Sequence, residues 1–344
     1  MGGPPGAPPG PGLPAPETVL SWRLLAAALV LDLAVGDPDF AWHPVRLMGA
    51  WIRMLEDWAR ASAGSLALRG CGVALLNVGG FWLMGWLLLR SAAWADGSLG
   101  WGPWLRRGME GAMLWSCLGV RSMVSHALEV LRPLEQGDVA AARRAVARIV
   151  GRDTVDLDAA GICRACLESV AESLGDGVVA PLFFAALAGA PAALAYRAAN
   201  TADSMIGHRD TRYAELGWAS ARLDDLLNWI PARLAALCAA LAALPLGLAP
   251  GRALRTAWND GPGQPSPNSG WPEGAFAGAL GVQLGGPCRY RGDVTIKAFL
   301  GPPLHPVDAA AGRRALALFL AATAVCLALL AGVAQLAQFL PPPL

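Results

Sequence analysis

Three stretches of this chain concentrate side chains that can handle metal ions, phosphates or protons. The first is RACLESVAESLGDG, where Arg164, Glu168, Glu172 and Asp176 recur every four residues. On a helix the first three stack along one face, with Asp176 at the end. Stacked carboxylates repel, so the row calls for a cation, either the arginine one turn earlier or a bound Mg²⁺. A solvated helix face stitched by Arg164 is the plainer alternative. The second stretch, NTADSMIGHRD, offers Asn200, Thr201, Asp203, Ser204 and His208, or else is an interfacial loop of turn formers. The third, RLDDLLNWIPARL, sets Asp224 and Asn228 one helical turn apart with Asp225 about 100° round, between Arg222 and Arg233. Ionisable groups at the rim of a membrane segment are costly and usually face a polar cavity, so function is the default expectation there. Neutralisation of Asp224 and Asp225 by the local arginines is the structural alternative.

Two further segments carry weaker signals. In GDPDFAWHPVRLMG, prolines stiffen a loop holding Asp37, Asp39 and His43, with His43 a ligand, a base or a hydrogen-bonded structural residue. In SPNSGWPEGAFAGALGVQLGG, Gly270, Gly274 and Gly278 lie four apart, a spacing that admits a second backbone or a flat ligand. Asn268 and Glu273 at that helix start are candidate substrate contacts. His126 and His305 read as structural.

The elements that position these groups are set by composition. Of 344 residues, 55% are hydrophobic and 15% charged, which argues against an ordinary soluble globule. Four nearly uncharged stretches begin near Cys71, Val178, Ile230 and Ala315, each about 18 to 25 residues, enough to cross a hydrocarbon core. A fifth span is expected over Val19 to Val35. The expectation is an all-α polytopic membrane protein with about four to five transmembrane helices. Residues 1–17, rich in Pro and Gly, read as a disordered leader, and 18–344 as a single helical membrane domain. The run VVAPLFFAALAGAPAALAY, interrupted by Pro181, Gly189 and Pro191, reads as a broken or re-entrant helix. Gly175 and Gly177 are expected to make a sharp turn ahead of it, leaving the carboxylates at a membrane mouth. DVAAARRAVARIV and LDAAGICRACLESVAES have helical periodicity, and strand signals are nearly absent.

Simple alternation of spans puts roughly 90–177 and 251–312 together, and their basic load makes that face cytoplasmic. It also puts roughly 36–70 and 197–229 on the opposite face, which conflicts with one site built from all four regions. The net charge of +1 gives no field for nucleic acid. Lys297 is the single lysine and follows Ile296, so a P-loop is excluded, and any phosphate must be held by arginine, metal or backbone amides. Seven scattered cysteines give no disulfide framework, and the lone CxxC of Cys163 and Cys166 reads as helix packing before zinc or redox chemistry.

Taken in order, the segments GDPDFAWHPVRLMG, VGRDTVDLDAAGICRACLESVAESLGDGVVAPLF, NTADSMIGHRDTRYAELGWASARLDDLLNWIPARL and SPNSGWPEGAFAGALGVQLGG resemble the CobD/CbiB family, the adenosylcobinamide-phosphate synthases of cobalamin biosynthesis. The resemblance runs from about Leu31 to Gly292. One departure is Ser173, where the family's ESxAEN pattern leads one to expect Asn. The resemblance implies a multi-pass protein of the bacterial inner membrane. Its activity would be an ATP-dependent ligase joining aminopropanol, or its phosphate, to a propionate of adenosylcobyric acid. It further implies Mg²⁺ and ATP, with catalytic work for Glu168, Glu172, Asp203, Asp224 and His43 or His208. Metal ligation would fall to Asp176, Asp224 and Asp225. Phosphate or substrate contacts would come from Arg152, Arg164, Arg222, Asn200, Asn228, Asn268 and Glu273. From chemistry alone, the alternatives are a Mg-dependent membrane prenyltransferase and a non-catalytic sensor or scaffold of the same fold. The first is weakened by the absence of an NDxxD-type spacing.

Overall fold

The computed structural model describes residues 21–36, 43–100, 102–208, 210–290 and 292–339. The expected leader at 1–17, and Asp37 and Asp39, lie outside them. Among the described residues the chain forms α1 (Trp22–Val35), α2 (Pro44–Ala61), α3 (Leu66–Leu99), α4 (Trp104–Cys117), α5 (Val120–Glu135), α6 (Val139–Val146) and α7 (Ala159–Leu174). These are followed by α8 (Ala180–Ala188), α9 (Ala190–Ile206), α10 (Trp218–Leu227), α11 (Trp229–Ala243), α12 (Pro250–Asp260) and α13 (Gly270–Leu280). A hairpin of β1 (Leu284–Tyr290) and β2 (Asp293–Leu300) then precedes α14 (Ala309–Phe339).

Side-chain caps start several of these helices where the sequence supplies a short polar residue. Ser65 Oγ accepts from Leu68 N, Asp138 from Ala141 N, and Asp158 from Gly161 N at 2.7 Å, each satisfying an amide the helix leaves over. The protein is an all-α polytopic membrane protein. Three helical stretches, Leu66–Leu99, Ala159–Ala188 and Ala309–Leu336, are long and apolar enough to cross a membrane. Trp218–Leu227 and Trp229–Ala243, bent by 45° at Asn228, make a fourth if taken as one span. Each of the four stretches read from sequence begins inside one of these helices, the one at Val178 continuing past Ala188 into α9. The fifth differs: α1 has 14 described residues, about 21 Å at 1.5 Å per residue, short of a full crossing.

Burial separates the lipid face from the interior. Only 28% of the apolar stretch of α3 and 33% of that of α14 is covered by protein, and Leu68, Leu75, Trp82, Val333 and Leu336 point outward. The stretch spanning α7 and α8 is 56% covered, which makes it the central helix. Aliphatic and alanine side chains of α5, α7, α11, α13 and α14 fill the main core around it.

The junction of α7 and α8 corrects one expectation. Gly175 and Gly177 make no sharp turn; Gly175 keeps helical dihedrals (φ −65°, ψ −63°), and Gly175–Val179 forms one π-helical turn inside a continuous helix. The reversal comes at Gly189, whose φ of +82° disfavours a side chain, with Pro191 opening α9. α9 then runs back along α8, and Tyr196 stacks on Phe184 with ring centroids 5.2 Å apart. The interrupted run is therefore a helical hairpin. It returns the 197–229 region to the acidic face of α7, which removes the conflict raised by simple alternation.

The β-hairpin is a second correction. Leu284 pairs with Leu300 and Tyr290 with Asp293, with an irregularity between Gly285 and Pro287. Glycines at positive φ (Gly285 and Gly286) bend the first strand and break up the β-branched alternation by which a strand is read in sequence. The glycine row of α13 has a plain use. A Cβ on Gly274 would meet Ala257 Cα at 2.9 Å and one on Gly278 would meet Arg252 O at 2.5 Å, so backbone of α12 occupies that face. All seven cysteines are free, and Cys163 Sγ donates to Asp308 O at 2.9 Å.

Candidate functional site

The centre of the site is an amide shared by two acids. Asn200 Nδ2, on α9, lies 3.2 Å from Asp176 Oδ2 in the π-turn and 3.3 Å from Asp224 Oδ1 on α10. The second oxygen of Asp224 accepts from Asn228 Nδ2 at 3.0 Å, and Tyr196 donates its hydroxyl to Asn228 Oδ1 at 2.9 Å. Local folding explains the convergence. The π-turn offsets Asp176 from the α-helical row, the bend at Asn228 brings α10 across, and the Gly189 reversal brings α9 alongside. π-turns within α-helices recur at functional sites.

These acids open onto a cavity of about 480 Å³. Glu172, Asp176, Asp203, Asp224 and Asp225 supply its acidic wall, joined by His208, Asn228 and Asn268. Tyr290, Thr295 and Lys297 of the β-hairpin face them. Lys297 brings the cationic charge among the residues lining this cavity, with Glu273 and Glu168 acting on it electrostatically. Burial pushes the Asp203 carboxyl above its ordinary range; Asp225 reinforces this and His208 opposes it. Asn268 anchors the rim, donating to Asp225 O at 2.7 Å and accepting from Arg233 at 2.8 Å, whose guanidinium stacks between Trp229 and Trp271.

Other candidates lie elsewhere. Glu168 is buried beside the cavity, ion-paired with Arg152 and accepting Gly285 N at 2.7 Å, so its counter-charge is Arg152 and not the Arg164 that was one of the two alternatives. Arg164 donates to Gln283 O. Arg222 is 61% exposed and pairs with Asp225 at 3.5 Å. None of these three arginines lines the cavity. His43 is buried at the start of α2, also apart from the lining. Glu273 is buried under the hairpin with Oε2 unpartnered, and burial, with Glu168 adding to it, pushes its carboxyl well up.

The sequence reading assigned no role at the site to Lys297, Tyr290, Tyr196 or Arg197. Lys297 was visible as the single lysine, but placing it needed the strand that was not read there. Among the described residues no three His, Cys, Asp or Glu side chains form a ready-made metal cage. A hard divalent ion of the Mg²⁺ type needs no such cage, since it keeps waters and takes one or two carboxylates with phosphate oxygens. The oxygen-only pair of Asp176 and Asp224 fits that requirement.

Fold and site together define a polytopic helical membrane protein with an acidic, lysine-faced cavity between its central helix, a returning helix and a β-hairpin. The chain belongs to the CobD/CbiB family. That family, described as CobD/Cbib protein, matches residues 25–319, a range that includes every residue lining the cavity. Over 301 residues the chain is 43% identical to the cobalamin biosynthesis protein CobD of Pelobacter propionicus, covering 87% of this chain and 91% of that one. It is 41% identical to the CobD protein of Klebsiella pneumoniae, with 92% and 97% covered. The identity is again 41% to the cobalamin biosynthesis protein CbiB of Salmonella typhimurium, with 91% and 96% covered. No solved structure matches.

Proposed function

We propose that this protein acts in cobalamin biosynthesis in the bacterial inner membrane. In this reading it is an ATP-dependent ligase that joins aminopropanol or its phosphate to a propionate of adenosylcobyric acid. The observation that carries the reading is the pairing of Asp176 and Asp224 on one Asn200 amide, in a cavity that Lys297 also lines, in a chain of this family.

A carboxylate is a poor acyl electrophile because its charge is delocalised. In the proposed reaction a propionate oxygen attacks the γ-phosphorus of ATP and ADP leaves, giving an acyl phosphate. The amine lone pair then attacks the acyl carbon, the carbon–oxygen bond to phosphate breaks, and the surplus ammonium proton passes to a base. Asp176 and Asp224 would hold Mg²⁺, which would supply neutralising charge for a bound nucleotide. Lys297, a cation carried on β2, balances the negative charge of the transferring phosphoryl group. Asp203, whose carboxyl burial raises above its ordinary range, takes the proton, with His208 beside it. Asn200 and Asn228 hold the two acids in place.

Purified full-length protein in detergent, given Mg-ATP, adenosylcobyric acid and each amine in turn, tests this. Amide product with one ADP and one phosphate per bond is the expected outcome. ATP consumption that does not depend on both other substrates, or corrinoid-independent prenyl transfer, overturns it.

A further inference from the structure

The run DVAAARRAVARIV takes no part in the acidic site. As α6 and the turn after it, it packs on α5, and the two form a separate groove of about 580 Å³. Three exposed guanidinium groups line it: Arg132 of α5, and Arg144 and Arg148, which are four residues apart and so share one face. The acid among the lining residues, Glu129, pairs with Arg148, and three arginines against one glutamate leave a net charge of +2. Pro133, Ala141 and Ala145 supply the small apolar part of the lining.

The height of this groove in the fold decides what can reach it. Arg313, near the start of the membrane-crossing helix α14, donates to both carboxylate oxygens of Glu135 at 2.7 and 2.8 Å, and Gly312 packs on Leu131. The end of α5 is thereby held level with the point where the uncharged run of α14 begins, at Ala315. Glu129, Arg132 and Pro133 belong to those last turns of α5, so the groove's cations sit where hydrocarbon gives way to water. We propose that the groove binds the headgroup of an anionic phospholipid. Its phosphate is taken by Arg132, Arg144 and Arg148, and its glycerol lies against Pro133, Ala141 and Ala145. Planar guanidinium groups suit phosphate oxygens because two parallel N–H bonds form at once. A bilayer delivers lipid phosphate to this depth at high local concentration, whereas exposed arginines gain little from a small ion in water. A zwitterionic headgroup brings its own cation and gains less.

Native mass spectrometry of the full-length protein in detergent, given phosphatidylglycerol or phosphatidylcholine at equal concentration, tests the assignment without reference to any turnover. The phosphatidylglycerol adduct is expected to be about fivefold or more the stronger. Replacing Arg132→Gln and Arg144→Gln together is expected to bring the two lipids within about twofold of each other. Arg144→Glu alone is expected to lower phosphatidylglycerol retention severalfold, and it serves if the double variant does not fold. Arg255→Gln, an exposed arginine of α12 outside the groove, is expected to leave the preference unchanged. Millimolar glycerol phosphate, the soluble headgroup, is expected not to displace the lipid. Equal retention of both lipids, a preference that survives the groove variants, or a loss of the same size in Arg255→Gln overturns the site. Displacement by glycerol phosphate also overturns it, since the groove would then take soluble phosphate esters.

Discussion

Asn200 reaches Asp224 at 3.3 Å although 24 residues and a stretch of irregular chain separate them. The same nitrogen serves Asp176, so the amide fixes two like-charged groups that otherwise repel. Asp224→Asn is expected to lower turnover well over tenfold and to raise the Mg²⁺ concentration needed for half-maximal rate. Steady-state assays across a magnesium titration check this, and wild-type rates with wild-type magnesium dependence would remove Asp224 from the site.

Lys297 is the single lysine of the chain and lines the acidic cavity. An amine-reactive nucleotide probe is expected to label the protein at Lys297, with Mg-ATP protecting it, as read by peptide mass spectrometry. Lys297→Met is expected to reduce kcat/KM by about a hundredfold, the scale of one charge-stabilising contact in a transition state. Labelling that ATP does not slow would detach this lysine from nucleotide binding.

Gly207 sits where an added Cβ would lie 2.0 Å from Asp203 Oδ1 and 2.6 Å from Asp203 O. Gly207→Ala is expected to displace the Asp203 carboxylate and lower kcat with little change in KM for ATP. If Asp203 is the base, the acid limb of the pH–rate profile moves as well. A variant with an unaltered profile argues that Asp203 takes no proton.

Glu273 is buried with an unpartnered oxygen, and its carboxyl titrates well above 4.5 in the folded protein. A carboxyl raised on folding favours the native state while protonated, and that contribution declines as pH climbs past the unfolded value. Glu273→Gln is expected to gain thermal stability relative to wild type as pH rises from about 4.5 through neutrality. Melting curves in one detergent across that window check the sign; a gap that widens toward acid pH refutes it.

Gly278 faces Arg252 O at 2.5 Å and Thr256 Oγ1 at 2.7 Å from a Cβ placed on it. Gly278→Ala is expected to cost about 1–3 kcal/mol by overpacking and to lower the melting temperature without altering Mg²⁺ dependence.

Much of this was legible in the chain because hydrophobic length and acid spacing are local properties. The stretches at Cys71, Val178, Ile230 and Ala315 begin within the long apolar helices, and Glu172, Asp203, Asp224 and Asn268 were singled out at positions that line the cavity. What escaped depends on events between segments. The break at Gly189 was legible as a broken or re-entrant helix, but the positive φ that sends α9 back along α8 is not encoded in any hydrophobic pattern. Glycines and a proline mask β1, and the short β-branched run of Val294, Thr295 and Ile296 in β2 lacked a legible partner strand, so Lys297 had no face to belong to. Arg197 was hidden inside an apolar run, and Asn200 joins it to Asp176 only once α9 lies beside the π-turn.

The wide turn at Gly175–Val179 carries one surplus residue compared with an ordinary helical turn. One extra residue rotates everything after it by about 100°. The apolar stripe of α8 and the acidic row of α7 are thus set by separate phases of the same rod. Adding or removing a single position there would re-aim Asp176 against its partners while leaving hydropathy untouched, so the most sensitive coordinate of this protein is an angle that composition does not record.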